Sequence, residues 1–340
     1  MNSVRDWFRR HFSDPQVMAL AIVLIVGFAL VMTVGDMLAA VLASVVIAYL
    51  LEGVVRPLER RGVRRVLAVT LVFVVFLAVL VFMLFGLLPL LSNQLTQFIQ
   101  QLPDMIARGQ QMLLHLPEKY PNSINEEQIT QLIASLRAEV GALGQRALSL
   151  SVASLVGLAV VLVYAILVPM LVFFFLKDKR HILDWISGYL PRERALSTAV
   201  WQDVDRQIGN YVRGKVWEII IVGGVTYVTF KLMGLQYSAL LATLVGLSVI
   251  IPYIGATVVT LPVALVAYFQ WGWGGEFAWL MIAYLIIQAL DGNVLVPLLF
   301  SEVTNLHPIA IIVAVLLFGG LWGFWGVFFA IPLATLVQAV

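Results

Sequence analysis

The sequence predicts an all-α, polytopic transmembrane protein with about seven to eight membrane spans and additional extramembrane amphipathic helices. Of its 340 residues, 61% are hydrophobic and only 12% are charged, whereas soluble domains are roughly half apolar and a quarter charged. So few charges cannot cover a water-exposed surface, and the excess apolar surface must therefore face lipid. The formal net charge of +2 gives no indication of a nucleic-acid partner.

Long apolar runs mark the predicted spans, because a helix that crosses a bilayer needs roughly 20 mostly apolar residues. Clear runs occupy residues 17–34, 37–51, 66–91, 152–176 and 216–233. From residue 237 onward the chain is almost continuously apolar. The sequence leaves open whether 238–269 crosses the membrane twice or re-enters from one side.

These runs divide the chain into five segments. They are an N-terminal interfacial helix with three membrane helices (1–91), an extracytoplasmic helical insert (92–150), a membrane helix (151–176), cytoplasmic amphipathic helices (177–215) and C-terminal membrane helices with broken segments (216–340). Pro103, Pro117 and Pro121 are expected to divide the insert into about three helices. The insert is either a cap packed on itself or on neighbouring subunits, or a lid that captures substrate.

Basic residues predict the orientation, because Lys and Arg accumulate on the cytoplasmic side of a membrane protein. The predicted loop 52–65 contains five arginines, and 177–215 contains eight Lys or Arg residues. Both segments, and the arginine-rich N-terminus, are therefore predicted to be cytoplasmic. The insert between them is predicted to be outside.

Asp291 is the most conspicuous charge within a predicted span. Gln288 and Asn293 lie beside it, long apolar runs flank it on both sides, and Gly292 and Pro297 favour a helix break. Charged groups at membrane depth are costly and usually functional, and broken helices there are buried or line a cavity. The alternative is a polar loop between two helices. We interpret Asp291, Gln288 and Asn293 as part of a polar transport pathway.

Other breaks and charges complete the set of candidate residues. Pro252 and Gly255 favour a second helix break, of the kind that exposes backbone dipoles to a transported solute. Glu218 follows Lys215 by three residues, which favours a local salt bridge, and Glu218, Glu302 and His307 are further pathway candidates. Glycines between residues 318 and 326 predict either close helix contact or a turn.

Catalytic and cofactor-binding patterns are missing from the sequence. The chain contains no cysteine, its four histidines are scattered, and it has no phosphate-binding loop or nucleophile motif. We therefore expect no enzymatic activity, no metal and no cofactor.

A family resemblance extends over essentially the whole chain and depends on a series of short motifs. They are Tyr49-Leu50-Leu51 with Pro57-Leu58, Val172 to Asp178, Gly214-Lys215, Ile251-Pro252-Tyr253-Ile254-Gly255, Gln288 through Asn293 to Pro297, Leu306-His307-Pro308, Phe318-Gly319-Gly320, and Gly323 to Gly326 before Ala330-Ile331-Pro332. With the apolar N-terminal hairpin and the helical insert, this pattern resembles the AI-2E (autoinducer-2 exporter) family of bacterial permeases.

The resemblance implies a multi-pass carrier in the bacterial cell inner membrane that exports a small polar solute, with autoinducer-2 as the family's namesake. It also implies a homo-oligomer, for which a five-fold ring is one arrangement. In such a carrier Asp291 is the candidate coupling group for a proton or a sodium ion. Two other functions stay open: a sodium (or lithium)/proton antiporter, and a non-transporting membrane scaffold that binds partners through its outer helices.

The charge pattern generates a topology prediction. A single cysteine placed at Asn122, in a chain that has no other, should react with a membrane-impermeant thiol reagent added to intact spheroplasts. Labelling that requires prior opening of the inner face would reverse the predicted orientation.

Overall fold

All regular structure that the computed structural model describes is helical. The described residues are 38–114, 154–188, 195–252, 254–300 and 307–339. Their helices are α1 Ala39–Arg60, α2 Arg65–Phe82, α3 Leu88–Leu114, α4 Ser154–Lys177, α5 Lys179–Ser187, α6 Ala195–Leu232, α7 Ser238–Ser248, α8 Ile254–Trp271, α9 Gly275–Leu290, α10 Val296–Phe300, α11 Pro308–Phe328 and α12 Ala330–Ala339. Five-residue π-helical turns join α2 to α3 (Met83–Leu87) and α9 to α10 (Asp291–Leu295).

Several of these helices are suited to a bilayer, which confirms the predicted all-α membrane fold. Within the described ranges, five helical stretches are long and apolar enough to cross a membrane: Ala39–Arg60, Arg65–Gly109, Ile254–Trp271, Gly275–Phe300 and Ile309–Phe328. Shorter apolar helices occupy Leu162–Lys177 and Ser238–Ser248. The predicted first span (17–34), the N-terminal interfacial helix and residues 115–150 of the insert lie outside the described residues.

Two predicted helix boundaries are wrong. The predicted loop 52–65 is helical as far as Arg60, so Arg56 and Arg60 lie on the last turns of α1. Pro103 does not divide the insert, because α3 runs through it from Leu88 to Leu114. The helix that begins at Arg65 therefore continues past the predicted end of its span at residue 91, through the π-helical turn, and into the insert.

Helix α6 combines two segments that were predicted to be separate, namely part of the cytoplasmic segment 177–215 and the apolar run that begins at residue 216. Its 38 residues include the amphipathic stretch before residue 212 and the apolar run 216–233. At 1.5 Å per residue, α6 is about 57 Å long, which exceeds the roughly 30 Å hydrocarbon core of a bilayer. One end of α6 therefore extends beyond the membrane, and the other end contributes a membrane helix without any intervening turn.

A buried glutamate fastens the N-terminal helices to one another. Glu52 on α1 is 5% exposed, and its carboxylate lies 3.3 Å from the Arg65 guanidinium, 3.1 Å from the Lys179 amine and 3.6 Å from Arg56. Arg65 also donates a 2.7 Å hydrogen bond to the Leu176 carbonyl at the end of α4. Charged groups from α1, α2 and α5 thus meet the end of α4 at one point, beside the apolar cluster that α1, α2 and α4 share.

The C-terminal helices form two further apolar clusters that α6 connects. One is made by α6, α7, α8 and α9, with Phe230, Val245 and Tyr284 at its centre. The other combines Tyr211 on α6 with side chains of α10, α11 and α12. Close approach to α1 occurs at Gly209, where the Tyr49 hydroxyl packs and donates to the Asp205 carbonyl.

The glycines between residues 318 and 326 form a chain reversal rather than a straight helix. Gly323 has φ +56°, a left-handed conformation that favours glycine. After it the chain folds back, so the backbone of Gly326 lies against the Phe318 carbonyl. Ile309–Phe328 therefore has the length of a membrane span only when both arms of the reversal are counted together. The straight part of α11 before Gly323 is about 22 Å long, which is shorter than the roughly 30 Å hydrocarbon core.

This reversal should make Gly326 intolerant of a side chain. A Cβ at Gly326 would lie 1.8 Å from the Phe318 carbonyl oxygen, whereas a Cβ at Gly320 would meet no atom within 4 Å. Gly326→Ala is expected to lower stability by about 1–3 kcal/mol or more, because the backbone itself must move. Gly320→Ala is the matched control.

Thermal unfolding of both variants in detergent, followed by tryptophan fluorescence, measures the difference. Equal melting temperatures for Gly326→Ala and Gly320→Ala would contradict the reversal.

Candidate functional site

A buried ion pair lies on α6 where its apolar half begins. The Lys215 amine donates to the Glu218 carboxylate at 2.6 Å, one helical turn away, and the two residues are only 3% and 2% exposed. The predicted salt bridge is therefore confirmed, but it is internal rather than a surface pair. A buried pair of this kind is expensive to desolvate, and it is stable only when additional hydrogen bonds satisfy the charged groups.

Lys215 obtains its second partner from a broken helix. Its amine donates a 2.7 Å hydrogen bond to the carbonyl of Val249, which directly follows α7. The last carbonyls of a helix have no partner within that helix, and in an apolar environment an unsatisfied carbonyl is costly. One amine thus neutralises a carboxylate and satisfies the open end of α7.

The predicted break around Pro252 and Gly255 is present in the structure. Helix α7 ends at Ser248, and α8 begins at Ile254. The 11 residues of α7 extend for about 16 Å, roughly half of the hydrocarbon core, so the break is expected to lie within the membrane. A Cβ at Gly255 would lie 1.8 Å from the Ser248 carbonyl oxygen. Glycine therefore permits the tight approach of the two helix ends.

Asp291 approaches the same site from a π-helical turn that packs against α6. It begins the π-helical turn between α9 and α10 and interacts electrostatically with both Lys215 and Glu218. Its Oδ1 atom is buried and has no hydrogen-bond partner within the described residues, and the same is true of Nε2 of Gln288, one helical turn earlier. The predicted break at Gly292 and Pro297 is wrong in form, because the helix continues through a π turn.

The other candidates lie elsewhere. Asn293 is exposed, and its side chain donates a 2.8 Å hydrogen bond to the Ala289 carbonyl. The exposed His307 accepts from the backbone N–H of Ile309 and so caps the start of α11. Glu302 lies outside the described residues. Of the side chains predicted for the pathway, the structure brings together Asp291 and Glu218, with Gln288 one turn away.

Lys215 is not among the predicted site residues, although it is the group that connects the others. We call Lys215, Glu218 and Asp291 the charge cluster. Phe300 at the end of α10 covers it, with the Lys215 amine 5.2 Å from the centre of its ring. The available signal was the i, i+3 spacing of Lys215 and Glu218 at the start of an apolar run, which predicts an ion pair at the boundary of a membrane span.

The charge cluster has one basic group and two acidic groups. With both carboxylates ionised, it retains one negative charge that Lys215 does not neutralise. A proton or a small monovalent cation would remove that charge, and the unpartnered oxygen of Asp291 is available to accept it. The cluster can therefore change its charge state within the apolar helices.

Comparisons with known proteins find relatives along essentially the whole chain. Residues 18–340 match the family described as "AI-2E family transporter". The chain is 48% identical over its full length to the Escherichia coli K12 protein named "Putative permease PerM", and covers 96% of that protein. It is 26% identical to the Bacillus subtilis "Putative transport protein YrrI", across 87% of this chain and 83% of that one. The Synechocystis "Putative transport protein sll0063" is 25% identical across 98% and 87%.

The geometry of the ion pair generates a stability prediction. Glu218→Gln leaves the buried amine without its carboxylate, and Lys215→Met leaves both Glu218 and the Val249 carbonyl without a partner. Each single change should lower the free energy of unfolding by about 3–5 kcal/mol, while the double variant should lower it by less than the sum of the two. The measurement is a double-mutant cycle of unfolding in detergent.

Arg56→Gln is the control for this cycle. The Arg56 side chain is 49% exposed beside Glu52. Without Arg56, Glu52 still has Arg65 and Lys179 as partners. Arg56→Gln should therefore lower the free energy of unfolding by at most about 1 kcal/mol. If the Lys215 and Glu218 variants lowered the free energy of unfolding as little as Arg56→Gln does, the buried pair would not be a stabilising contact.

Proposed function

The chain belongs to the AI-2E family of transporters, and on that basis we propose that it is a secondary transporter whose charge cluster lies on the pathway. We propose that it exports a small polar solute across the bacterial inner membrane. Autoinducer-2, the family's namesake, is the first solute to test. The observation that supports this most directly is that Lys215, Glu218 and Asp291 meet among apolar helices, beside a carbonyl that a helix break exposes.

The cost of this arrangement supports a functional role. A charged side chain that is taken out of water into packed apolar helices loses several kcal/mol of solvation, which its partners recover only in part. Apolar side chains of similar volume would often be as stable as a buried ion pair, or more stable. Stability accounts for Lys215 and Glu218, which satisfy each other and the Val249 carbonyl. It gives no reason to keep Asp291 beside them, since Oδ1 of Asp291 has no partner in the described part of the chain.

The backbone around the charge cluster also supports transport. The cluster is bounded by the α7–α8 break and by the π-helical turn at Asp291. Single π-helical turns occur frequently at functional sites, and transporters place broken helices at their binding sites. Both elements can change their backbone hydrogen bonds without unfolding a complete helix, as alternating access requires.

A sodium/proton antiporter is the second candidate function. The uncompensated negative charge favours it, because Asp291 could exchange a proton for a monovalent cation. A non-transporting scaffold is the third candidate. In a scaffold, the charge cluster would serve only to hold the helices together. Ion and solute flux in proteoliposomes separate the three.

Orientation and assembly are part of the same proposal. We place the Glu52 end of α1 and the N-terminus in the cytoplasm, supported by the basic side chains around Glu52. We also propose a homo-oligomer. Helix α2 exposes many large apolar side chains, such as Leu71, Val75 and Phe82, and this surface is available to lipid or to neighbouring copies.

The proposed function predicts a specific defect for Asp291→Asn. This substitution preserves shape but removes the group that titrates, so coupled transport should lose its dependence on pH or sodium and fall at least tenfold. Proteoliposomes containing a pH-sensitive dye, tested with sodium, lithium and a panel of small solutes including autoinducer-2, provide the measurement. Asp104→Asn, at an exposed acidic residue on α3, is the matched control.

Normal transport by Asp291→Asn across the pH range would remove Asp291 from the coupling mechanism. Absence of flux in the parent protein for every ion and solute would instead favour the scaffold. Expression level and oligomeric state must be measured on the same samples, because a misassembled variant loses transport for a different reason.

A further inference from the structure

A polar cavity of about 420 Å³ lies far along α6 from the charge cluster, at the turn between α6 and α7. Its walls are the glutamine-bearing face of α3, the end of α6 and the turn itself. This volume is within the range of roughly 300–1,000 Å³ that is typical of small-molecule sites. We call it the glutamine cavity, after Gln94, Gln97, Gln101 and Gln236 in its lining.

The walls of the glutamine cavity are held in place by side chains that are already paired. Gln94 accepts a hydrogen bond from the backbone N–H of Leu240, at the start of α7. Gln270 on α8 holds the turn, since its amide accepts from the N–H of Gln236 and donates to the carbonyl of Gly234, both at 2.8 Å. The cavity is therefore a formed feature of the helix packing.

Other polar groups of the lining remain available. The side chains of Gln97, Gln101 and Gln236 make no hydrogen bond with the described part of the chain, and neither does the buried hydroxyl of Tyr237. A carboxamide offers both donors and acceptors, as does a hydroxyl. A ligand that satisfies several such groups must itself donate and accept, which is characteristic of a compound bearing hydroxyl groups.

The positive charge of the lining favours a negatively charged ligand. Lys231 is the only charged residue among the nine that line the cavity, and it forms no ion pair with any residue that the structure describes. An ammonium group forms its strongest hydrogen bonds with carboxylate or phosphate oxygens. Carboxamides around the ammonium group would bind the remaining oxygens without adding charge.

The position of the cavity suggests how such a ligand reaches it. Gln270, which holds its wall, lies close in the chain to the aromatic cluster of Tyr268, Trp273 and Phe277, whose ring centres are 5.1–6.3 Å apart. Trp273 is 81% exposed, and exposed Trp and Tyr concentrate at the headgroup level of a bilayer. A ligand could therefore arrive from water or as the headgroup of a lipid.

We propose that the glutamine cavity is a binding site for a small hydroxylated oxyanion of the glycerol phosphate type. Lys231 binds the phosphate, and the free carboxamides of Gln97, Gln101 and Gln236 bind its remaining oxygens and the hydroxyls. Soluble glycerol phosphate and the headgroup of phosphatidylglycerol share this chemistry. The site is separate from the charge cluster, and binding can be measured whether or not the protein transports.

The test compares two lysines in equivalent settings. Lys231 and Lys177 are both exposed in the last turn of an apolar helix, but only Lys231 lines the cavity. Binding of sn-glycerol 3-phosphate is measured by calorimetry on protein in phosphatidylcholine nanodiscs. Retention of phosphatidylglycerol is measured by native mass spectrometry.

The parent and Lys177→Gln should bind at least one of the two probes with affinities within about twofold of each other. Lys231→Gln should weaken binding at least tenfold. As a separate single change, Gln101→Glu should also weaken binding, because the new carboxylate places a negative charge beside the anion. Melting temperatures without ligand, measured in parallel, should be unchanged, since Lys231 and Gln101 are exposed.

Each outcome has a defined meaning. Binding of glycerol phosphate that depends on Lys231 supports a soluble ligand, and retention of phosphatidylglycerol that depends on Lys231 supports a lipid. Binding of neither probe overturns the proposal. Binding that Lys231→Gln and Gln101→Glu leave intact also overturns it.

Discussion

The hydrogen bond from Lys215 to the Val249 carbonyl is the contact on which the C-terminal half depends. At 2.7 Å, it joins the centre of the longest helix in the described part of the chain to the open end of α7. Without a donor there, the break between α7 and α8 would expose an unsatisfied carbonyl at membrane depth, where such groups are costly. The amine needs a counter-charge for the same reason, and Glu218 supplies it from the next turn of α6.

Close backbone contacts at glycines also hold the end of α7 against α8 and α6. The start of α8 lies against the end of α7 because Gly255 leaves room for the Ser248 carbonyl. One turn before the end of α7, Gly246 and Gly223 bring the backbones of α7 and α6 together, since a Cβ added at Gly246 would lie only 3.0 Å from the Gly223 Cα. Close backbone approach through small residues is the usual means of packing membrane helices. Here it also keeps the open end of α7 within reach of Lys215.

The sequence predicted the fold class, the helix break at Pro252 and Gly255 and the Lys215–Glu218 pair, and the role of Asp291 stays a prediction. Hydropathy succeeds here because lipid requires long apolar helices, and proline and glycine mark the exceptions. It could not locate the Glu52 network, because the arginines that surround Glu52 looked like solvated loop charges. Nor could it distinguish a π turn from a break at Asp291, since that difference depends on which backbone acceptors are within reach.

The two acids of the charge cluster compete for one amine, and this competition connects its charge to its shape. In the described arrangement Glu218 is bound directly to Lys215, while Asp291 keeps a buried oxygen without a partner. If Glu218 accepted a proton, its hold on the amine would weaken, and Asp291 would become the stronger attractor for Lys215. The end of α7 would be released if a shift of the amine toward Asp291 lengthened the 2.7 Å hydrogen bond from Lys215 to Val249. In the proposed transporter, a change of charge at the cluster is thereby converted into movement at the helix break, because the same amine serves both.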